Sequence, residues 1–265
     1  RDELGVEFIS CLDSLFTMPR RRLAALCEEL VRRQIGVKWI CYARASDLAD
    51  RDIVAMMRDA GAHQVQIGIE SGDPQILENM NKQCSIEQNA MALDNCRSVG
   101  LTTVVSLVVG FPGENEATLA NTYRFLRDHP PDFYFLAIFS TRVAGVPILN
   151  EANRARFGLQ IDSNARTVAP YWRHSSMTSA EVGRHVRQLN RELIENRVSL
   201  NAATFYSGLL RYSASQRHAL LEYQRASVND HRLLSRGFDV LHGWMDRRLA
   251  KDMARWEASA PGGPG

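Results

Sequence analysis

Short apolar runs alternate with longer amphipathic segments along the first 140 residues of the chain. Five of the runs have the length and the β-branched content that are typical of buried strands. They occupy residues 6–11, 37–42, 64–69, 102–109 and 133–139. The fourth run, TTVVSLVV, is apolar at nearly every position, which predicts a parallel strand that helices cover on both faces.

The segments between the runs repeat apolar residues at intervals of three and four, as on one face of a helix. Asp50 and Ser85 stand where N-terminal caps are expected, and Gly36, Gly61 and Gly100 stand where helices are expected to end. Successive strands begin roughly 30 residues apart, which is the length of one βα unit. The pattern therefore predicts an α/β fold with a parallel sheet, either closed as a barrel or open.

The pattern changes after about residue 150. The sequence predicts irregular structure over residues 140–178. Thr178 and Glu181 are expected to start a helix, and helical patterns follow at about 215–225 and 228–256. The end, APGGPG, has the composition of a disordered tail. We expect a core domain over 1–150, a mostly helical C-terminal extension over 151–257 and a tail over 258–265.

Composition and charge add little to this picture. The net charge is +2, with 45% hydrophobic and 23% charged residues, so bulk charge indicates neither a nucleic acid nor a membrane as a partner. No apolar run approaches the ~18 residues of a membrane span. Five widely spaced cysteines without a CxxC pair favour a reducing, cytoplasmic setting. Because the chain starts at Arg1 and enters a strand almost at once, we expect it to be a piece of a longer protein.

Polar or conformationally special residues follow each predicted strand. They include Asp13, Arg44, Glu70, Gly110 and Arg142. The carboxyl ends of parallel strands meet at one rim, so these residues are expected to converge there. Such a ring suits a polar small molecule, although loops are commonly polar without any such role.

Some of these residues allow two interpretations. Glu70 could accept two hydroxyl hydrogen bonds from a ribose, or be a solvated loop residue. Arg44 could bind a carboxylate through both of its terminal nitrogens, or pair with Asp47. Glu114 is expected to stabilise the start of a helix rather than to take part in chemistry. His174 could contact a substrate or be a structural histidine. The cysteines have no metal-ligand spacing, so no metal site is predicted from them.

Several segments of the chain resemble a known family. The segments VEFISCLDSLFT, IGIESG, ILENMNK and GFPGE resemble, over residues 5 to about 150, the core of radical S-adenosylmethionine (SAM) enzymes. The resemblance is greatest to the subgroup with an N-terminal cobalamin-binding domain. It implies a partial (β/α)6 barrel in which strands 2–6 are present, with SAM lying across the carboxyl ends of the strands.

The resemblance also implies a set of site residues. The implied cofactor-binding residues are Arg44, Glu70, Ser71, Val108, Gly110, Phe111 and Pro112. Glu70 and Ser71 would lie near the ribose, residues 108–112 would line the adenine side, and Arg44 would reach the methionine moiety. For the substrate, the first candidates are Tyr171, Trp172 and His174.

The implied chemistry is that of a cobalamin-dependent methyltransferase acting on an unactivated carbon or phosphorus centre of a small molecule, supplied with electrons by a flavodoxin or ferredoxin. A cyclase, a mutase, a methylthiotransferase or a degenerate scaffold without redox chemistry are alternatives, as is an unrelated barrel enzyme that uses Glu70 and Arg44 for acid–base chemistry. The family's CxxxCxxC loop, which holds a [4Fe–4S] cluster, is absent from the sequence. The cluster ligands and the cobalamin domain are therefore expected upstream of Arg1.

Overall fold

The computed structural model describes residues 3, 5–143, 145–162, 171–202, 212–230 and 232–259, with the backbone alone for 228–230 and 232–239. The predicted tail is wrong at residues 258 and 259, which are helical, and from residue 260 onward it lies outside the described residues. Within the described part, no helix is long and apolar enough to cross a membrane.

A six-stranded parallel sheet forms the centre of the molecule. In their order across the sheet, its strands are β1 (Phe8–Ser10), β2 (Lys38–Ala43), β3 (Ala62–Glu70), β4 (Thr102–Val109), β5 (Phe133–Ile138) and β9 (Leu200–Asn201). The α/β class, the parallel sheet and the five predicted strands are confirmed. The sixth strand was not predicted, because two residues leave no periodicity to detect.

Six helices connect the first five strands: α1 (Arg20–Arg32), α2 (Ala45–Leu48), α3 (Arg51–Asp59), α4 (Pro74–Asn79), α5 (Ile86–Ser98) and α6 (Glu116–Asp128). The predicted caps are confirmed: Asp50 accepts a hydrogen bond from the amide of Asp52, and Ser85 and Gln88 form a reciprocal capping box. The short helices α2 and α4 were not predicted, since one or two turns are too short for a helical period to show.

The two faces of β4 differ in burial. Val105, Leu107 and Val109 are buried in the main hydrophobic core, whereas Ser106 and Val108 are only half-buried. The prediction that helices cover both faces is therefore wrong near the carboxyl end of this strand. An apolar run shows that a strand can be buried on both faces. Here the face that carries Ser106 and Val108 belongs to the partly open inside of the barrel.

The C-terminal part closes the other end of that inner face and extends the molecule. Its elements are a 3-10 turn (Pro147–Leu149), α7 (Glu151–Phe157), β6 (Gln160–Ile161), β7 (Trp172–His174), β8 (Met177–Thr178), α8 (Val182–Glu195), α9 (Ala214–Asp230) and α10 (Arg232–Ser259). Strands β6, β7 and β8 form a small antiparallel sheet. Leu221 of α9 packs with Val104, Phe133 and Leu200 at the amino ends of the strands.

Two predictions for this part need correction. Residues 140–178 are not irregular, because a helix capped by Asn150 and a three-stranded sheet lie within them. The helix predicted at Thr178 begins at Val182, and the Glu181 carboxylate instead accepts hydrogen bonds from the amide and the hydroxyl of Thr178. The domain boundary at residue 150 stays a prediction; the main core includes residues from both sides of it.

Candidate functional site

The end of β3 forms the first part of the site, which we call the Glu70 turn (residues 68–72). Glu70 has a φ of +65°, a left-handed conformation that non-glycine residues seldom adopt. The pairing of β3 with β4 shifts register between Gly68 and Glu70. Non-glycine residues in this conformation concentrate at functional sites, where the surrounding structure compensates for the strain.

The Glu70 carboxylate forms an ion pair with Lys82, with 3.0 Å between Oε1 and Nζ. The two side chains are 24% and 33% exposed, so both can also reach a ligand. A Cβ atom at Gly68 would lie 2.3 Å from Glu70 Oε1 and 3.2 Å from Lys82 Nζ. Glycine at this position therefore leaves the space that the ion pair occupies.

Two basic groups, Lys82 after α4 and Arg44 after β2, affect the thiol of Cys84. Burial raises the pKa of the Cys84 thiol, while the positive charges of Lys82 and Arg44 lower it, so both cations lie near this sulfur. Within the described residues the Arg44 side chain has no hydrogen-bond or ion-pair partner. The alternative of a pair with Asp47 is not seen, because that carboxylate accepts a hydrogen bond of 2.6 Å from the Thr17 hydroxyl.

Lys82 is the functional candidate that the sequence interpretation missed. It lies within ILENMNK, one of the segments that carry the resemblance, yet no role was assigned to it. One signal was available: Lys82 is one of only three lysines in a chain whose basic residues are otherwise arginine. Its proximity to Glu70 depends on how the chain folds back after α4, which no local pattern indicates.

The end of β4 forms the second part of the site, which we call the Gly110 turn (residues 109–114). Gly110 has a φ of +88°, and its peptide groups are held on both sides. Its amide donates a hydrogen bond to the Glu114 carboxyl, and its carbonyl lies 3.3 Å from Nε2 of His174. Because the Ser176 amide donates to Nδ1 of the same ring at 3.3 Å, the neutral imidazole carries its proton on Nε2 and donates it to Gly110.

The two side chains that hold Gly110 are buried and favour their neutral forms. Glu114 is 1% exposed, and burial raises its pKa to about 8, with Asp73 adding to the effect. Burial also lowers the pKa of His174. The prediction of a helix-start role for Glu114 is wrong, since Asn115 is the N-terminal cap of α6.

Trp172 completes this arrangement. Its ring stacks on His174, with centroids 5.5 Å apart and an interplanar angle of 6°. A Cβ atom at Gly110 would lie 2.9 Å from Cη2 of Trp172 and 2.7 Å from Cγ2 of Val182. The C-terminal extension therefore packs directly on the Gly110 turn, and two predicted substrate residues contact this turn. Tyr171 is half-buried at the edge of a cavity described below.

The other predicted cofactor residues differ in accessibility. The Ser71 hydroxyl is buried, lies 3.2 Å from the Thr122 hydroxyl and accepts a hydrogen bond from the amide of Asp73, so a ligand contact by Ser71 would come from its backbone. Val108 and Phe111 are half-buried, and the Phe111 ring lies 5.4 Å from that of Phe139. Pro112 is buried. Their roles as cofactor contacts stay predictions.

The described residues do not fit an iron–sulfur cluster. No group of three or more His, Cys, Asp or Glu side chains among them could hold a metal ion. Burial raises the pKa of Cys27 to about 11 and that of Cys96 to about 12. These thiols therefore stay protonated, whereas cluster ligands are thiolates.

Comparison with known proteins agrees with the α/β fold. Residues 3–126 match the Radical SAM superfamily. An anaerobic magnesium-protoporphyrin IX monomethyl ester cyclase from Rubrivivax gelatinosus is 33% identical over 136 residues, which are 51% of this chain and 24% of that protein. The chain thus spans about a quarter of the length of this curated relative.

Two solved structures align with parts of the chain. The radical SAM methyltransferase TsrM from Kitasatospora setae, with cobalamin and a [4Fe–4S] cluster bound, has a TM-score of 0.47 at 20% identity and covers 51% of this chain and 28% of its own. The archaeal Elp3 from Methanocaldococcus infernus has a TM-score of 0.53 at 14% identity, covering 85% of this chain and 56% of its own. The match to the Radical SAM superfamily covers residues 3–126, which include both turns.

Proposed function

We propose that this chain is the catalytic-core portion of a cobalamin-dependent radical SAM methyltransferase that acts on an unactivated carbon or phosphorus centre of a small molecule. The observation that carries the SAM part of the proposal is the Glu70–Lys82 pair, held by a left-handed residue at the carboxyl end of a parallel strand. Ligand sites of parallel α/β folds lie at this end of the strands. The cobalamin part rests on the sequence resemblance.

The charges of the Glu70 turn match the polar groups of SAM. The Glu70 carboxylate has the acceptor capacity for two ribose hydroxyls. Lys82 and Arg44 supply positive charge for the methionine carboxylate, and Arg44 has no carboxylate partner among the described residues. The half-buried Val108 and Phe111 of the neighbouring strand end offer apolar surface for the adenine.

The group that would supply the radical chemistry is the [4Fe–4S] cluster, and the described cysteines do not fit it. We expect its CxxxCxxC ligands and the cobalamin domain in the part of the protein upstream of residue 1. In this proposal the present chain binds and orients SAM and shapes the substrate site. The electron donor and the cytoplasmic setting stay predictions.

SAM binding tests the role of the Glu70 turn. In protein produced from the complete coding sequence, purified anaerobically, we expect Glu70→Gln and Lys82→Met each to weaken SAM binding about tenfold or more, measured by equilibrium dialysis. Each variant removes a charged hydrogen-bonding partner from a partly desolvated site. The matched control is Glu78→Gln, an exposed glutamate on α4 that bonds to Gln75. SAM affinity that is equal in Glu70→Gln and in the wild type would contradict the assignment.

Methyl transfer tests the reaction itself. With [methyl-13C]SAM, a methyltransferase would place the label in its product, and the purified protein would contain cobalamin and about four irons per chain. The 33% sequence identity to a cyclase favours one alternative, namely that this protein is also a cyclase. A cyclase would form 5′-deoxyadenosine without placing the label in its product. A protein that retains no iron would contradict both.

A further inference from the structure

A cavity of about 760 Å³ lies outside the two turns, between the end of β5, the β7–β8 hairpin, the start of α8 and α10. Aromatic and apolar side chains supply much of its wall: Phe139, Tyr171, Trp172, Trp244 and Met245. A volume of this size is within the range of pockets that bind small organic molecules. The cavity adjoins the Gly110 turn through Trp172, which lines one and contacts the other.

The wall of the cavity contains more positive than negative side chains. Asp246 is paired with Arg187, and Asp252 is paired with an arginine outside the cavity. Arg142 and Arg248 also line the cavity, and neither has a carboxylate partner among the described residues. The wall therefore holds three arginines against two aspartates, and this excess of positive charge favours an anion.

Two further features of the wall, the Thr141 hydroxyl and the Trp244 ring, indicate what kind of ligand the cavity would bind. The Thr141 hydroxyl oxygen is shielded from solvent and has no hydrogen-bond partner within the described residues. Such a group normally finds a partner, because burying it alone costs free energy. Trp244 is 51% exposed, with the Arg248 guanidinium 5.5 Å from its ring centroid. An arginine stacked on an indole is a surface on which a flat aromatic acid can lie.

We propose that this cavity binds an organic anion that has a flat aromatic body and a carboxylate. The aromatic body contacts Trp172 and Trp244, the carboxylate pairs with Arg142 and Arg248, and the Thr141 hydroxyl gains a partner. Tyr171 and Trp172, which the sequence suggested as substrate contacts, would then contact this ligand. The inference goes beyond the proposed function and does not depend on it, because it rests on the cavity and its charges alone.

Binding of 2-naphthoate and of its neutral counterpart 2-naphthamide tests the charge requirement. In isothermal titration calorimetry on the anaerobically purified protein, we expect the acid to bind about tenfold more tightly than the amide. Arg142→Gln and Arg248→Gln should each reduce this preference at least about threefold, as expected for partly exposed ion pairs. Trp244→Ala should weaken the acid and the amide by similar factors.

Arg247→Gln is the matched control, since this arginine is exposed on the same helix and does not line the cavity. It should leave both affinities unchanged. Equal affinity for the acid and the amide, or a preference that survives both arginine substitutions, would overturn the proposal. A third result would also overturn it: the wild type does not bind naphthoate, and Trp244→Ala changes the oligomeric state. In that case another protein surface, and not a small molecule, would cover the cavity. SAM binding, measured separately, reports on the proposed function and not on this one.

Discussion

The two strand-end turns have the same backbone handedness but opposite environments. Each has a left-handed residue at the carboxyl end of a central strand, Glu70 in one and Gly110 in the other. The first is a charged residue that stays partly exposed, and its ion pair is open to a ligand. The second is a glycine whose peptide is held by two buried groups that favour neutrality, Glu114 and His174.

This difference indicates what each turn contributes. At Gly110 a side chain would collide with Val182 and Trp172, so glycine is required for packing. At Glu70 the left-handed conformation carries a cost that glycine would avoid, and the recorded partner of the side chain is Lys82. We infer that the Gly110 turn forms a rigid wall and that the Glu70 turn retains strain because its carboxylate binds a ligand.

The largest expected effect concerns the pH dependence of the Gly110 turn. The pKa of Glu114 is raised to about 8 in the folded protein from 4.5 in the unfolded chain, so its contribution to stability is complete below pH 4.5 and is lost as pH rises through 8. Each pH unit between these values removes up to about 1.4 kcal/mol. Relative to Glu114→Gln, the wild type should lose about 4 kcal/mol of unfolding free energy between pH 5 and 8.

Urea unfolding at several pH values, followed by tryptophan fluorescence, measures this difference. His174 acts in the opposite direction, since its lowered pKa means that stability is lost as pH falls below about 6.5. His174→Gln is therefore the useful companion variant, with its largest effect on the acid side. Parallel pH profiles for the wild type and Glu114→Gln would show that Glu114 is charged in the folded protein and that the turn is not held by a neutral pair.

The next effect concerns packing at Gly110. We expect Gly110→Ala to lower the unfolding free energy by about 2 to 3 kcal/mol, because alanine adds left-handed strain and overpacks against Trp172 and Val182. Gly145→Ala is the matched control, since Gly145 has a φ of +79° with nothing within 4 Å of the added atom. Gly145→Ala should lower the unfolding free energy only by the left-handed strain, about 1 kcal/mol. Equal losses in the two variants would mean that the Gly110 turn yields to a side chain and is no rigid wall.

The place of Glu70 at the end of a strand could be predicted from the sequence, whereas its pair with Lys82 and the structure around Gly110 could not. The capping residues, the strand alternation and the carboxylate after QIGI are local signals, so the strands and Glu70 were found. The hydrogen bond between Gly110 and His174 joins residues 64 positions apart, across a segment that looked irregular. The burial that raises the pKa of Glu114 also depends on tertiary packing. Local sequence patterns indicate neither the hydrogen bond from His174 nor the burial of Glu114, and the predicted role of Glu114 was therefore wrong.

The smallest effect on stability gives the sharpest separation of the two turns. Glu70→Gly removes the left-handed strain but also the half-exposed ion pair with Lys82, so the unfolding free energy should rise by about 1 kcal/mol or less. SAM affinity should nevertheless fall about tenfold or more, because the carboxylate is gone. Gln34→Gly, at an exposed residue with a φ of +52°, should give a similar stability gain with unchanged SAM affinity. A loss of stability in Glu70→Gly would show that Glu70 stabilises the fold. The two turns would then both have a structural role, and the contrast between a ligand-binding turn and a packing turn would be wrong.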